Sequence, residues 1–155
     1  MNKNRQAVID WIEESCTEFN YAITLTFPTK QAVTEAMAKS CCNRFRSFYN
    51  SGLGYKNFKR KEKVDKTKSA PIVSMLEGDG ISQRFHYHLA LHKPADMSPD
   101  KFAALIKYSW QRAVYGEFCK IDIQPITSAG WANYISKKVT STNTDVLDVT
   151  NTNIH

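Results

Sequence analysis

The sequence predicts one α+β domain, in which four or five antiparallel strands form a sheet and helices pack on one of its sides. Stretches with a helical period alternate along the chain with stretches of period two, and the turn Gly78-Asp79-Gly80 joins two neighbouring strands into a hairpin. Hydrophobic residues make up 42% of the 155 residues, which is enough for one sizeable core.

The elements are expected in the order α-β-α-β-β-α-β-α. Alternation of apolar and polar residues predicts strands over residues 21–27, 71–78, 84–91 and 119–126. Apolar residues at helical spacing predict helices over residues 4–16, from Pro28 to Gly52, from Ser98 to Gly116 and after Ser128. The apolar seam of the second helix is expected to consist of Val33, Met37, Cys41, Phe45 and Phe48.

Residues 1–139 are expected to form the folded domain, and residues 140–155 a mobile tail. The tail, TSTNTDVLDVTNTNIH, is polar, is rich in Thr and Asn, and contains no Lys or Arg. A segment of this composition at the end of a domain is usually poorly ordered.

The composition favours a cytoplasmic protein of a bacterial or host cell. The four cysteines, Cys16, Cys41, Cys42 and Cys119, have no CxxC spacing, so we expect reduced thiols and no zinc finger. No apolar run approaches the roughly 20 residues that cross a bilayer. The start, MNKNRQAVIDWIEES, lacks the apolar region of a signal peptide.

The charge distribution indicates a polyanionic partner such as nucleic acid. The chain has 21 basic and 15 acidic residues, and residues 140–155 hold two of the acidic ones and none of the basic ones. The most basic stretch, YKNFKRKEKVDKTK at residues 55–68, predicts DNA contacts by Lys56, Lys59, Arg60, Lys61 and Lys63. A solvated, lysine-rich loop is the alternative for this stretch.

Three of the four histidines lie in the stretch RFHYHLALHKP, residues 84–94. Because residues two apart share one face of a strand, His86 and His88 project together, on the same side as Arg84. Two imidazoles on one face can bind a divalent cation, and a register that pairs Glu77 with either histidine would add a carboxylate ligand. Half-buried histidines that are hydrogen-bonded to their neighbours are the alternative.

Strand parity also predicts what surrounds these histidines. Thr24 and Thr26 face away from the core side of their strand, so they are expected to line the same open, DNA-binding face as the histidines and Arg84. His92 follows the strand end and is expected to stay outside the metal site.

The stretch GWANYISKKV, residues 130–139, is predicted to be a helix with Tyr134, Lys137 and Lys138 on one side. A phenol is a weak nucleophile at neutral pH, and a lysine one turn away, together with a divalent cation on the electrophile, would offset that weakness. Tyr134 is therefore the candidate nucleophile, with Tyr87 and Tyr108 as the substitutes to consider. An ordinary basic helix end is the alternative.

Three motifs together resemble the HUH endonuclease family: ITLTF at residues 23–27, Glu77 nine residues before HYH, and YISK at residues 134–137. They are most similar to the single-tyrosine Rep branch, the rolling-circle replication initiators of plasmids and small single-stranded DNA viruses. HYH matches the family's metal-binding motif, and Glu77 stands where that branch keeps its third ligand. Tyr134 matches the nucleophile, and Lys137 matches the lysine of the same motif.

The resemblance implies a ferredoxin-like or RRM-like antiparallel sheet of about five strands, with helices mainly on one face, and a nick-and-join reaction on single-stranded DNA or an origin hairpin. Tyr134 would attack the scissile phosphate and stay linked to the 5′ end, leaving a 3′-OH for a host polymerase. Mg²⁺ or Mn²⁺ held by the two histidines and Glu77 would polarise the phosphate, and Lys137 would stabilise the tyrosinate. Unwinding is expected from a host helicase.

Two other functions remain open. A small single-tyrosine HUH transposase would share the chemistry, but such proteins usually place a glutamine ligand one turn after the tyrosine, where this chain has the basic, DNA-binding candidate Lys138. A non-catalytic RRM-like nucleic-acid-binding domain would expose aromatic residues on the open face, where parity predicts threonine and histidine.

Overall fold

The computed structural model describes residues 19–116, 119–126 and 147–155, together with Lys3, Gln6, Ala7, Asp10, Trp11 and Glu14. The predicted helix over residues 4–16 is thus described only at scattered positions, and the helix predicted after Ser128 lies outside the described residues. No helix in the described ranges is long and apolar enough to cross a membrane.

Four strands form one antiparallel sheet with the order β2-β3-β1-β4. They are β1 (Tyr21–Thr26), β2 (Ile72–Glu77), β3 (His86–Leu91) and β4 (Ile121–Pro125). The helices are α1 (Glu35–Gly52), the short α2 (Phe58–Lys61) and α3 (Pro99–Val114), and 3-10 turns lie at Lys66–Lys68 and Val149–Asn151. Because α1 follows β1 and α3 follows β3, the order βαββαβ and the strand arrangement are ferredoxin-like. The predicted α+β class is confirmed, with four strands instead of about five.

Helices α1 and α3 cover one face of the sheet, and Trp110 of α3 lies at the centre of the core between them. Its ring contacts Phe27, Phe45 and Tyr87 with centroid separations of 5.1–6.4 Å. Its indole Nε1 donates a hydrogen bond of 2.6 Å to the carbonyl oxygen of Thr26. This bond and the edge-to-face ring contacts fix α3 against the end of β1.

Helix α1 begins at Glu35, so the prediction that it opens at Pro28 and Thr29 is wrong. Its N-cap is Thr34, whose side-chain oxygen accepts a hydrogen bond from the backbone N–H of Met37. The preceding residues form a loop in which the Arg84 guanidinium donates to the carbonyl oxygens of Pro28, Thr29 and Gln31 at 2.8–3.2 Å. The Pro28 carbonyl also accepts from the Gln31 N–H in a turn, and these bonds together stabilise the loop.

The buried stripe of α1 differs accordingly from the expected seam. Val33 lies in the loop, and Met37 is 42% exposed. The apolar residues that α1 buries are Ala38, Cys41, Cys42, Phe45 and Tyr49. The predicted end of the helix is confirmed, since α1 ends at Gly52 and Gly54 adopts a positive φ of 91°.

Residues 147–155 lie along the outer edge of β2, so the prediction of a mobile tail is wrong for them; residues 140–146 lie outside the described ranges. Leu147 pairs with Met75, and Asn153 pairs with Ile72, both antiparallel. Ile72 and Asn153 exchange two backbone hydrogen bonds of 2.8 Å. This C-terminal segment occupies the place that a fifth strand would have.

Three polar side chains of the C-terminal segment, those of Asp148, Asn151 and Asn153, are buried and form hydrogen bonds. Asp148 is 3% exposed, and its Oδ2 accepts from the Tyr87 hydroxyl at 2.7 Å and from the Asn151 amide at 2.8 Å. The hydroxyl of Ser74 donates to the carbonyl oxygen of Asn151 at 2.7 Å. These bonds offset the cost of taking polar groups out of water, so a Thr- and Asn-rich sequence packs here as core.

We expect Asp148→Ala to lower the free energy of unfolding by about 2 kcal/mol or more, because each buried donor left without an acceptor costs about 1–3 kcal/mol. Two donors, those of Tyr87 and Asn151, lose their acceptor in this variant. Urea unfolding measures the change. The matched control is Val149→Ala, at a neighbouring side chain that is 73% exposed. Equal stability of the two variants would contradict the buried network.

Candidate metal centre

The β2–β3 hairpin places Glu77 directly opposite His86, and Met75 opposite His88. Of the two pairings considered from the sequence, Glu77 with His86 or with His88, the structure has the first. The chain leaves β2 at Gly78, whose φ is 112°, and a Cβ there would lie 2.6 Å from the carbonyl oxygen of Arg84. Only glycine allows the hairpin to close so soon after Glu77.

The loop between the two strands is held by Asp79. Its carboxylate accepts hydrogen bonds from the backbone N–H groups of Ile81, Ser82 and Gln83 at 2.7–3.0 Å, and from the Ser82 hydroxyl. These donors hold the pKa of the Asp79 carboxyl well below its usual range. The ionised carboxylate therefore keeps the turn in one conformation beside the two histidines.

The side chains of Glu77, His86 and His88 converge on one point. Glu77 Oε2 lies 3.2 Å from His86 Nε2 and 3.0 Å from His88 Nε2. The candidate ligand atoms of the three residues lie within 4.8 Å of one another. The three side chains are 11–18% exposed, so the point between them is partly shielded from solvent by the side chains themselves.

Each histidine has a partner on its other ring nitrogen. Nδ1 of His86 lies 3.0 Å from the carbonyl oxygen of Arg84, and a carbonyl can only accept, so this nitrogen carries a proton. Nδ1 of His88 lies 3.3 Å from the hydroxyl of Thr24 on β1. Such outer partners orient the ring of a metal-binding histidine and direct Nε2 toward the ion.

Two imidazole nitrogens and one carboxylate oxygen form a donor set that suits a divalent metal ion. When Glu77 is ionised and both Nε2 atoms are unprotonated, all three are acceptors and repel one another unless a cation lies between them. Three protein ligands would leave further coordination positions for water or for a substrate oxygen, as in catalytic metal sites. The arrangement is therefore compatible with a divalent metal ion on the open face of the sheet.

The threonines and Arg84 lie where parity predicted, but their side chains are engaged within the protein. The hydroxyl of Thr26 donates to the carbonyl oxygen of Lys120 and accepts from its N–H, both at 2.8 Å. Thr24 contacts His88, and the Arg84 guanidinium holds the loop after β1. In this structure these three residues support the site from within, and their predicted DNA contacts stay a prediction.

The predicted basic residues are exposed but lie at the other end of β2. Phe58 of α2 is buried under Arg46, and Arg46 pairs with Glu62 at 2.6 Å, which fixes this segment against α1. The segment joins β2 at its first residue, so about 17 Å of strand separate it from Glu77. The exposed side chains are those of Lys56, Lys59, Arg60, Lys61 and Lys63.

Tyr134, Lys137 and Lys138 lie outside the described residues. Neither substitute nucleophile directs its hydroxyl toward the metal ligands. Tyr87 points to the helical side, is fully buried and donates to Asp148, and burial above all raises the pKa of its hydroxyl. Tyr108 is exposed on α3, in the helical layer.

The other described tyrosines also belong to the helical side of the sheet. Tyr21 contacts Phe102 of α3, and Tyr115 stacks under Arg44 of α1. Tyr49 and Tyr55 pack in or against the core. His92, as predicted, is not part of the metal cluster, because it follows the far end of β3.

The sequence reasoning missed Lys120, which lies on the open face beside Thr26. The signal was present, because alternation in residues 119–126 puts Lys120, Asp122 and Gln124 on the same face as the neighbouring Thr24. Because this strand contains no recognisable motif, no functional role was predicted for its polar residues.

Compared with known protein families, with curated proteins and with solved structures, the chain matches none of them.

We expect the chain to bind Mn²⁺, and Glu77→Gln to weaken that binding by at least tenfold, because the only anionic ligand of the cluster is lost. Isothermal titration calorimetry measures the dissociation constant. Glu35→Gln is the matched control, since Glu35 pairs with Lys39 on the surface of α1. Equal Mn²⁺ affinity of the two variants would contradict the metal site.

Thr24→Val should weaken Mn²⁺ binding by about 10-fold to 100-fold, because losing an outer-shell partner frees the ring of a metal-binding histidine. The substitution preserves the shape of the side chain and removes only the hydroxyl that contacts His88. The same titration on Thr150→Val, at an exposed threonine, provides the control. An unchanged affinity in the Thr24 variant would show that His88 needs no such partner.

Proposed function

We propose that the chain is a metal-dependent nuclease and strand transferase that nicks and rejoins single-stranded DNA through a covalent 5′-phosphotyrosine at Tyr134. The observation that carries the proposal is the convergence of Glu77, His86 and His88 on the open face of a ferredoxin-like sheet. This is the arrangement implied by the resemblance to single-tyrosine Rep nucleases, and the physiological role that follows is initiation of rolling-circle replication.

Two observations support Tyr134 as the nucleophile. Six of the seven tyrosines are described, and all six belong to the helical side of the sheet, away from the metal ligands. The connection that contains Tyr134 joins Ile126 to Leu147, and both of these residues pack against the buried cluster of Phe19, Val73 and Ala90. Val73 and Ala90 lie on the face of the sheet that carries the metal ligands. The connection thus starts and finishes on the side of the sheet that carries the metal ligands.

The chemistry is an in-line displacement at phosphorus. The phenolate oxygen of Tyr134 forms a bond to the scissile phosphate, and the bond from phosphorus to the 3′ oxygen breaks. The 3′ oxygen takes up a proton and leaves as a hydroxyl, while Lys137 stabilises the phenolate before attack. A bound Mg²⁺ or Mn²⁺ supplies Lewis-acid polarisation of the phosphate oxygens. Attack of a 3′-OH on the phosphotyrosine reverses the reaction and rejoins the strand.

The open face argues against a purely stacking, RRM-like binding domain. Such sheets carry aromatic side chains on their central strands, where unpaired bases stack. Here the central strands β1 and β3 present Thr24, Thr26, His86 and His88 at those positions. Threonine offers no ring for stacking, and both imidazoles are directed at the Glu77 carboxylate, so these positions favour metal binding over stacking of bases.

Tyr134→Phe is expected to abolish the covalent protein–DNA adduct while leaving single-stranded DNA binding intact, because it removes only the attacking oxygen. Labelled oligonucleotides incubated with Mn²⁺ and resolved under denaturing conditions reveal the adduct. Tyr108→Phe, at an exposed tyrosine on α3, is the matched control and should keep full adduct formation. Adduct formation by wild-type protein in EDTA, or by the Tyr134 variant, would refute the proposal.

Replacing Lys59, Arg60 and Lys61 by glutamine should flatten the salt dependence of single-stranded DNA binding. Each lost phosphate contact reduces the slope of log K against log salt concentration by about 0.7. Fluorescence anisotropy over a range of salt concentrations measures the slope. An unchanged slope would show that the basic segment, at the far end of β2, does not touch the bound strand.

A further inference from the structure

A groove of about 270 Å³ opens beside the metal ligands, on the side of His86 that faces away from Glu77. Three strand ends meet there: the end of β1, the start of β3 and the residue before β4. The residues that line it and matter here are Thr26, Thr29, Arg84, Phe85, His86 and Lys120. His86 is therefore shared, with one side turned to the metal cluster and the other to the groove.

The groove is positively charged. Arg84 and Lys120 contribute two cations, and none of its described lining residues is acidic. The nearby Asp122 accepts a hydrogen bond of 2.9 Å from Gln124 on its own strand. A small groove with two cations and the exposed Thr29 hydroxyl suits a phosphate group.

The two cations, Arg84 and Lys120, differ in their hydrogen bonding within the protein. The Arg84 guanidinium donates to three backbone carbonyl oxygens, so it forms a fixed wall of the groove. The backbone of Lys120 is held by two hydrogen bonds with Thr26, yet its ammonium has no hydrogen bond or ion pair to any residue that the structure describes. Lys120 is thus a cation on a fixed backbone, and none of the described residues binds its ammonium donors.

The groove is in line with the metal cluster. Glu77, His86 and Thr26 are opposite one another on β2, β3 and β1, and Lys120 follows on the β4 side. Two interstrand spacings, about 10 Å, separate the backbones of His86 and Lys120. A DNA strand that runs along this row meets the metal site first and the Lys120 ammonium next.

We propose that this groove binds the phosphodiester next to the scissile one, with the Lys120 ammonium on its phosphate oxygens. The proposal rests on the proposed function and extends it, since it names the residue that holds the flanking nucleotide. Lys120 acts as a DNA-binding residue that sets the register of the strand on the metal site.

The test measures binding of a short, labelled single-stranded oligonucleotide in Mn²⁺ over a range of salt concentrations. Lys120→Gln should weaken binding at low salt by roughly tenfold, and reduce the salt slope by about 0.7, as the loss of one charge-assisted phosphate contact requires. Lys120→Arg should restore the slope. Lys101→Gln, at an exposed lysine in the first turn of α3, is the matched control and should behave as the wild type.

The outcomes separate this inference from the proposed function. If the wild type forms the adduct and Lys120→Gln binds DNA with the same slope as Lys101→Gln, the groove proposal is overturned and the nuclease stands. If Lys120→Gln loses Mn²⁺ affinity, Lys120 supports the metal centre and the proposal is also overturned. Titration with inorganic phosphate distinguishes the source of the ligand: a phosphate site that depends on Lys120, with an unchanged DNA slope, would assign the groove to free phosphate.

Discussion

Glu77 and His86 lie opposite each other because β2 and β3 pair in a single register, and every property of the candidate site follows from that pairing. The register is selected on the other side of the sheet, where Leu76 pairs with Tyr87 and Ile72 with Leu91 in the core. A shift by one residue would take these apolar side chains out of the core and turn the Glu77 carboxylate into it. Burial of the core thus positions the metal ligands, without any contribution from the ligands themselves.

Strand β3 connects the face that carries the metal ligands with the core on the helical side, and Tyr87 is the residue that makes this connection. Its histidines face the open side, and Tyr87, which lies between them in sequence, reaches through the core to Asp148 of the C-terminal segment. The same segment pairs with β2, the strand that carries Glu77. The C-terminal segment therefore holds both strands that carry metal ligands: β3 through the bond between Tyr87 and Asp148, and β2 through pairing at its outer edge. A ligand set held by its scaffold needs little rearrangement when an ion binds, which is the condition for a precise site.

The sequence pattern predicted those parts of the structure that depend on neighbouring residues in the chain. Alternation in residues 84–91 is enough to place His86 and His88 on one face, and Gly78 marks the turn that sets the register. The start of α1 was not predictable from the local sequence, because the loop before it is held by Arg84, which is more than fifty residues away in the chain. The packing of the C-terminal segment was not predictable for the same reason, since its buried polar groups bind Ser69, Ser74 and Tyr87, which are far away in the sequence. Tyr134 lies outside the described residues, so its place relative to the metal ligands stays a prediction.

The C-terminal segment also changes how the sheet meets other protein molecules. An unpaired strand edge is a template for another chain, and the outer edge of β2 is the apolar run Ile72, Val73, Ser74, Met75 and Leu76. Leu147 and Asn153 cover that edge. Among the described strands the opposite edge is β4, which is five residues long, includes Asp122 and ends at Pro125, so it is poorly suited to strand addition. A chain cut before Leu147 would expose an edge with the composition of aggregating segments, and would be prone to self-association into insoluble material.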